Sequence, residues 1–260
     1  MKNHMVIKQL IGTTFLAVFF SLNSFSQVAG AKHSKLVDLY VMGNYEDCFV
    51  KAMKLTEKDK YKSESEPYLW VSLCLVDLSN DSELEEFYPE AKAKKDALKY
   101  GAKFKKKDDK IKSKGGEYIF DENLDFIYDL MELGLVEGKS YLAMDNYSKS
   151  SYYYKLVAKI DPENKEVQLI HGVLMLYNKN KEGKELIENS MAYFKAQAEM
   201  GGYNVNTKTE RALVDGFDYY SRYLQSKGNN NEAFNVIALA VKLDPENQKF
   251  IQRYKQLSGE

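Results

Sequence analysis

The sequence predicts an all-α chain of helix pairs stacked one on the next. Three observations carry that expectation. Apolar residues recur every three or four positions along nearly the whole chain past residue 26, and few runs alternate as a strand would. A pattern of small, aromatic and breaker residues that begins at Met131 starts again 34 residues later at Lys165, and once more at Val214. Two of the copies close on one tetrapeptide, Asp161-Pro162-Glu163-Asn164 and Asp244-Pro245-Glu246-Asn247, each 15 residues beyond a turn asparagine. Helix pairs whose apolar faces must be covered by neighbouring pairs produce such a period.

The first 26 residues read as an export signal. Lys2 and Lys8 supply a positive start, Ile11 to Phe20 an apolar run, and Ser24 and Ser26 small residues before a cut ahead of Gln27. The competing reading is a membrane anchor, for which the run falls short of the ~20 residues a bilayer requires. No cysteine lies near the cut, so a lipid anchor is not indicated. The Ser-Phe-Ser-Gln ending resembles signals of exported proteins from Bacteroidota. No other segment reads as a membrane span.

Beyond residue 26 there remain 35 basic against 38 acidic residues, which gives no general attraction for nucleic acid. Cys48 and Cys74 each lie on an apolar helical stretch and read as buried thiols. An oxidising compartment would allow a disulfide, although a chain of this size does not need one. Only His33 and His171 remain past the signal, far apart in sequence, so no zinc site is expected. No cofactor is expected either.

Five units follow in order. The first, near 31–59, has its turn at Gly43-Asn44-Tyr45 and its small residue at Cys48, and reads as a terminal cap. The second, near 66–104, opens with a helix over 66–80 that is apolar on most sides and therefore predicted to be buried between neighbours. Its partner starts near residue 88, after Pro89 is placed in the first turn, and a loop over 105–118 is expected to follow. The third unit, near 121–164, has Gly138 at position eight counted from Met131, Tyr141 at eleven, the turn Asp145-Asn146-Tyr147, Ser150 at twenty and Asp161-Pro162 at the end. The fourth, near 165–200, has Gly172 at eight, and Gly183 as its small second-helix residue one place early. The fifth, near 207–257, has Ser221 at eight, Gly228-Asn229-Asn230 at the turn and Ala233 at twenty, with a capping helix over 246–257.

This spacing resembles the tetratricopeptide repeat family, closely in the units from Met131 and Val214 and partly in the unit from Lys165. The resemblance implies a right-handed α-solenoid whose first helices line a concave, partner-binding face. Carried over position by position, that face comprises Glu132, Leu135, Lys139, Leu142 and Ala143 in the third unit. In the fourth it comprises Glu166, Leu169, Val173, Leu176 and Tyr177, and in the fifth Asp215, Asp218, Arg222, Gln225 and Ser226. The first two sets are largely apolar, which suits a hydrophobic segment in an open groove or burial within the superhelix itself. Neither the third set nor the others carry the Lys, Asn and Arg series of a clamp for a chain-terminal carboxylate.

Charge is unevenly placed. Residues 91–114 hold eleven lysines against Asp96, Asp108 and Asp109, and 115–138 hold seven acids and no base. Such a lysine tract suits peripheral contact with an anionic membrane surface or an acidic partner, against the simpler reading of a solvated segment answered by the acidic helix. No phosphate cradle, nucleophile elbow or histidine–nucleophile pair is present. Glu85, Glu86 and Glu90 beside Tyr88 read as helix-start acids rather than a hydrolase pair. The expectation is therefore a non-enzymatic, periplasmic protein-binding scaffold, an accessory of an outer-membrane or periplasmic assembly such as secretion or gliding machinery. A peptidoglycan or envelope-polymer binder is the second reading, and an enzyme with an unrecognised site the third.

Overall fold

The computed structural model describes residues 32–82 and 86–259; the expected export signal and Glu85 lie outside them. Among the described residues there are eleven α-helices and no strands. They are α1 Ser34–Val41, α2 Tyr45–Glu57, α3 Glu66–Asn80, α4 Glu90–Lys112 and α5 Leu124–Ala143. Then come α6 Tyr147–Ile160, α7 Lys165–Tyr177, α8 Gly183–Met200, α9 Glu210–Ser226, α10 Asn230–Leu243 and α11 Gln248–Ser258. The main helix–helix contacts join helices adjacent or next but one in the chain. No described helix is long and apolar enough to cross a membrane.

The turns within pairs share one geometry. Gly43, Asp145, Lys179 and Gly228 all have positive φ, and each is followed by an asparagine. In every case the asparagine N–H reaches back five residues, to Leu39, Tyr141, Met175 or Leu224, and the preceding N–H reaches back three. This double closure satisfies the last carbonyls of the first helix and reverses the chain in a fixed direction. Between pairs, Asn164 and Asn247 repeat a second device. Each donates its backbone N–H to the aspartate three residues earlier, at 3.3 Å, and caps the next helix through its side-chain oxygen.

The helices of a pair meet at the expected small residues. Ser150 Oγ donates to the Gly138 carbonyl at 2.8 Å, and Cys48 Sγ to the Leu36 carbonyl at 3.4 Å, twelve residues apart in both. Ser221 and Ala233, also twelve apart, are fully buried. In the α7–α8 pair both contact residues are glycine. A Cβ on Gly183 would lie 2.3 Å from the Gly172 carbonyl oxygen, so neither position admits a side chain without parting the helices.

The interior forms two apolar clusters that meet along α7. Val167, Ile170 and Leu174 belong to the cluster built by α1–α6, and Leu169 and Val173 to that built by α8–α11. Helix α3 is buried on nearly every side between α2 and α4; its Trp70 is 1% exposed and its indole donates to Glu66 at 3.0 Å. Cys48 and Cys74 are buried free thiols on facing helices, and burial pushes the Cys74 thiol far up.

Helix α4 differs from expectation. It continues two turns into the segment read as a loop from residue 105, because Phe104 and Asp108 are fully buried. Asp108 accepts from Ser65 Oγ at 2.7 Å and from the backbone N–H groups of Ile119 and Phe120 at 2.9 and 2.8 Å. The carboxylate thus ties the end of α4 to the start of α3 and to the chain entering α5. The remaining break is confined to residues 113–120.

Candidate partner-binding cleft

A cleft of about 730 Å³ opens where α5, the start of α9 and the start of α11 converge. Helix α5 contributes Asp129, Glu132 and Lys139, the α8–α9 connection Thr207 and Lys208, and α9 Glu210, Arg211 and Val214. The last wall is Glu246 to Lys249, where the Asp-Pro-Glu-Asn cap delivers the chain into α11. Four acids and four bases therefore face one space. Two ion pairs cross it between α5 and α9: Arg211 Nη1 with Glu132 Oε1 at 3.2 Å, and Lys139 Nζ with Asp215 Oδ1 at 3.4 Å. The first is well exposed and worth at most about 1 kcal/mol. In the second, burial raises the Asp215 carboxyl above its usual range while Lys139 pulls it back down.

The residues assigned to a partner face divide into three groups. Glu132 and Lys139 line the cleft and are already paired across it. Leu135, Leu142, Leu169 and Val173 are 0–2% exposed and lie in the core, so as an open apolar groove the face does not exist here. For Leu169 the reason is the close seating of α9 on α7, where a Cβ on Gly216 would stand 3.1 Å from Leu169 Cδ2, while Leu135 and Leu142 of α5 lie in the cluster built mainly by α1–α6. Glu166 is also taken internally, accepting from the Tyr203 hydroxyl at 2.6 Å, and burial followed by that bond drives the Tyr203 phenol far above its usual range. Asp215 belongs with the cleft, opposite Lys139, and Leu176, half-buried, Tyr177 and Arg222 lie toward the C-terminal ends of α7 and α9. Tyr177 stacks on Tyr147 with ring centres 4.5 Å apart and meets Tyr223 edge-on at 5.5 Å. Arg222 is exposed, held by both oxygens of Asp218 and lying 5.6 Å from the Tyr219 ring. Burial pushes Tyr177 up to about 12.

Counting from Val214 missed the cleft's most prominent base. Arg211 lies three residues ahead of the counted start, yet α9 begins at Glu210 and carries it into the cleft. The polar run closing the fourth unit, which supplies Thr207 and Lys208, gave no periodic signal. Asp129 lies two residues ahead of Met131, where the count of the third unit starts, and so falls outside the counted positions.

The chain matches no protein-family model, and no curated protein matches it in sequence.

Proposed function

We propose that the chain is an exported, periplasmic protein-binding scaffold of the tetratricopeptide type, a right-handed α-solenoid serving as an accessory subunit of an envelope assembly. The four like turns and the twelve-residue spacing of the small-residue contacts support the repeat reading. Export rests on the sequence of residues 1–26, and a secretion or gliding machine is the assembly that the Bacteroidota-like signal suggests.

The observation that carries the binding reading is the mixed-charge cleft between α5, α9 and α11. Of the two pairs that cross it, Arg211–Glu132 is exposed and of low worth, so a partner's own acids and bases can replace it at little net cost. A polar, charged segment of another protein fits this chemistry better than a hydrophobic one. The polymer-binding alternative is less well supported, because the rings of Tyr147 and Tyr177 cover each other's faces.

The test is affinity purification of the tagged chain from detergent-solubilised envelopes of its native host, beside the Lys208→Glu/Arg211→Glu variant. A discrete set of envelope proteins retained by the wild type and lost by the variant is expected. The same set on both would remove the cleft from the proposal. Recovery of the chain alone, even after gentle crosslinking, would count against a stable scaffold.

A further inference from the structure

The lysines of α4 fall into two populations that the sequence does not separate. Lys94 pairs with Glu90 at 2.5 Å and Glu137 at 3.1 Å, Lys99 with Asp96 at 2.8 Å, and Lys105 with Asp109 at 2.5 Å. Lys103, Lys106, Lys107 and Lys110 make no ion pair among the described residues. Their spacing of three, four and seven puts them on one stripe of the helix, about 10 Å long. Beside it runs the α2–α3 connection with Lys60 and Lys62, drawn in because Lys107 Nζ donates to the Lys62 carbonyl. Lys103, Lys106, Lys110, Lys60 and Lys62 are exposed. Desolvation, then the charges of Lys110, Lys62, Lys103 and Lys106, lowers the Lys107 ammonium from its usual value.

The nearby acids, Glu57 beside Tyr100 among them, only partly answer this patch, since, after desolvation, the surrounding lysines still lower Lys107. Asp108 is buried in its own hydrogen bonds, Asp109 is held by Lys105, and Asp59 reaches only Lys62, at 3.9 Å. Like charges are therefore held together at a standing electrostatic cost, which an external anion would relieve.

We propose that this lysine patch docks the protein on an anionic phospholipid bilayer. Three features favour a lipid surface over an acidic protein segment. The patch lies on the outside of a helix, and none of its lysines lines the 730 Å³ cleft. All its charges are lysine, point charges on flexible stems; a carboxylate read in fixed register is better served by the arginine fork. Half-buried tyrosine rings lie beneath two of the ammonium groups, Tyr100 under Lys103 at 4.3 Å and Tyr61 under Lys60 at 4.9 Å, while Tyr68 under Lys107 is buried in the core. Amphipathic rings with flexible cations are the side chains found at headgroup level. With its apolar face buried in the fold, α4 adheres by charge and does not insert. The proposal concerns a second surface and goes beyond the cleft.

The test is co-sedimentation of the full chain with phosphatidylcholine vesicles, with and without about 30 mol % phosphatidylglycerol, at about 50 and about 500 mM NaCl. The wild type is compared with Lys103→Gln/Lys106→Gln/Lys107→Gln/Lys110→Gln and with the same four changed to Arg. The apolar run at residues 11–20 and the flanking Lys2 and Lys8 are common to all three chains, so the difference between variants on anionic vesicles reads the patch. Expected are preference for anionic vesicles, release by salt, near-wild-type binding by the Arg variant and a drop on the order of several hundred-fold for the Gln variant, at about fivefold per lysine. Equal binding to neutral vesicles, or unchanged binding by the Gln variant, would overturn the proposal. So would capture on immobilised polyglutamate with no vesicle binding, which would assign the patch to an acidic protein partner.

Discussion

Replacing Gly183 by alanine tests the idea that the α7–α8 pair is set by direct backbone contact. The added Cβ would lie 2.3 Å from the Gly172 carbonyl oxygen and 2.9 Å from Met175 Cβ. Both neighbours are backbone or backbone-fixed atoms, so no side-chain rotation relieves the clash. The helices must part by roughly 1 Å, a gap that forfeits a quarter to a half of each dispersion contact along the seam. Overpacking of this kind costs about 1–3 kcal/mol. Alanine's helix propensity recovers at most about 1 kcal/mol, and less at the first residue of α8. A net loss of about 2 kcal/mol is expected, or a fall in Tm of some 4–8 °C for a chain of this size. Urea unfolding followed by helical circular dichroism measures it. Two controls fix the interpretation. Gly202 has nothing within 4 Å of an added Cβ, and its alanine variant should stay within about 0.5 kcal/mol of wild type. At Gly134 the Cβ meets the movable tips of Val157 and Leu98, so the loss there should be smaller than at Gly183. If Gly183→Ala unfolds at the wild-type midpoint, the carbonyl contact does not set this pair.

Three further outcomes follow from buried polar groups. Burial, then the charges of Lys155 and Lys159, pulls His171 down from 6.5 to about 4. The unfolded chain thus binds the proton first, so stability is lost as pH falls from about 6.5 to about 4, by roughly 3 kcal/mol in all. His171→Gln should remove that part of the acid sensitivity in denaturation curves taken across the window, and identical slopes in the two proteins would contradict it. Asp108→Ala strands two buried N–H groups and the Ser65 hydroxyl, and should cost about 3–5 kcal/mol; a loss below about 1 kcal/mol by urea unfolding would mean that the carboxylate does not hold α4 to the α5 entry. Tyr203→Phe leaves Glu166 without its hydroxyl donor, so hydrogen exchange over residues 202–208 should quicken while α7 stays protected.

Much of the fold was legible because its determinants are local. Three of the four turns pair a glycine or aspartate at positive φ with the following asparagine, a requirement written in two adjacent letters, while at Lys179 only the asparagine signals the turn. The early glycine at 183 was legible for the same reason, since only a small residue can face Gly172. The end of α4 was not. Lys105 to Lys112 reads as a solvated run unless Asp108 is known to be buried, and its partners lie 43 residues back at Ser65 and 11 and 12 residues ahead. For the apolar face the sequence offered an open groove and internal burial alike, because the close approach of α9 to α7 depends on Gly216 meeting Leu169, far apart in sequence.

The regular pairs and the two proposed surfaces place opposite demands on the chain. Where the spacing is kept, as at Gly138 with Ser150, small residues bring helices together and side chains are consumed by the interior. Where it is broken, charge is left facing outward. The connection over 201–209 is longer than the four-residue cap at Asp161–Asn164, and it delivers Thr207 and Lys208 to the cleft. The last two turns of α4, past the end expected from the sequence, carry Lys107 between the exposed Lys106 and Lys110. Extra length is costly to order unless it packs, and in both places a buried carboxylate does the holding: Glu166 takes Tyr203 from the connection, and Asp108 anchors the end of α4. Each surface thus includes a segment outside the regular spacing that a carboxylate fixes to the packed helices. Removing that anchor should weaken binding at its own surface and leave the other intact, a separation that Asp108→Ala and Tyr203→Phe make measurable in the vesicle and affinity assays.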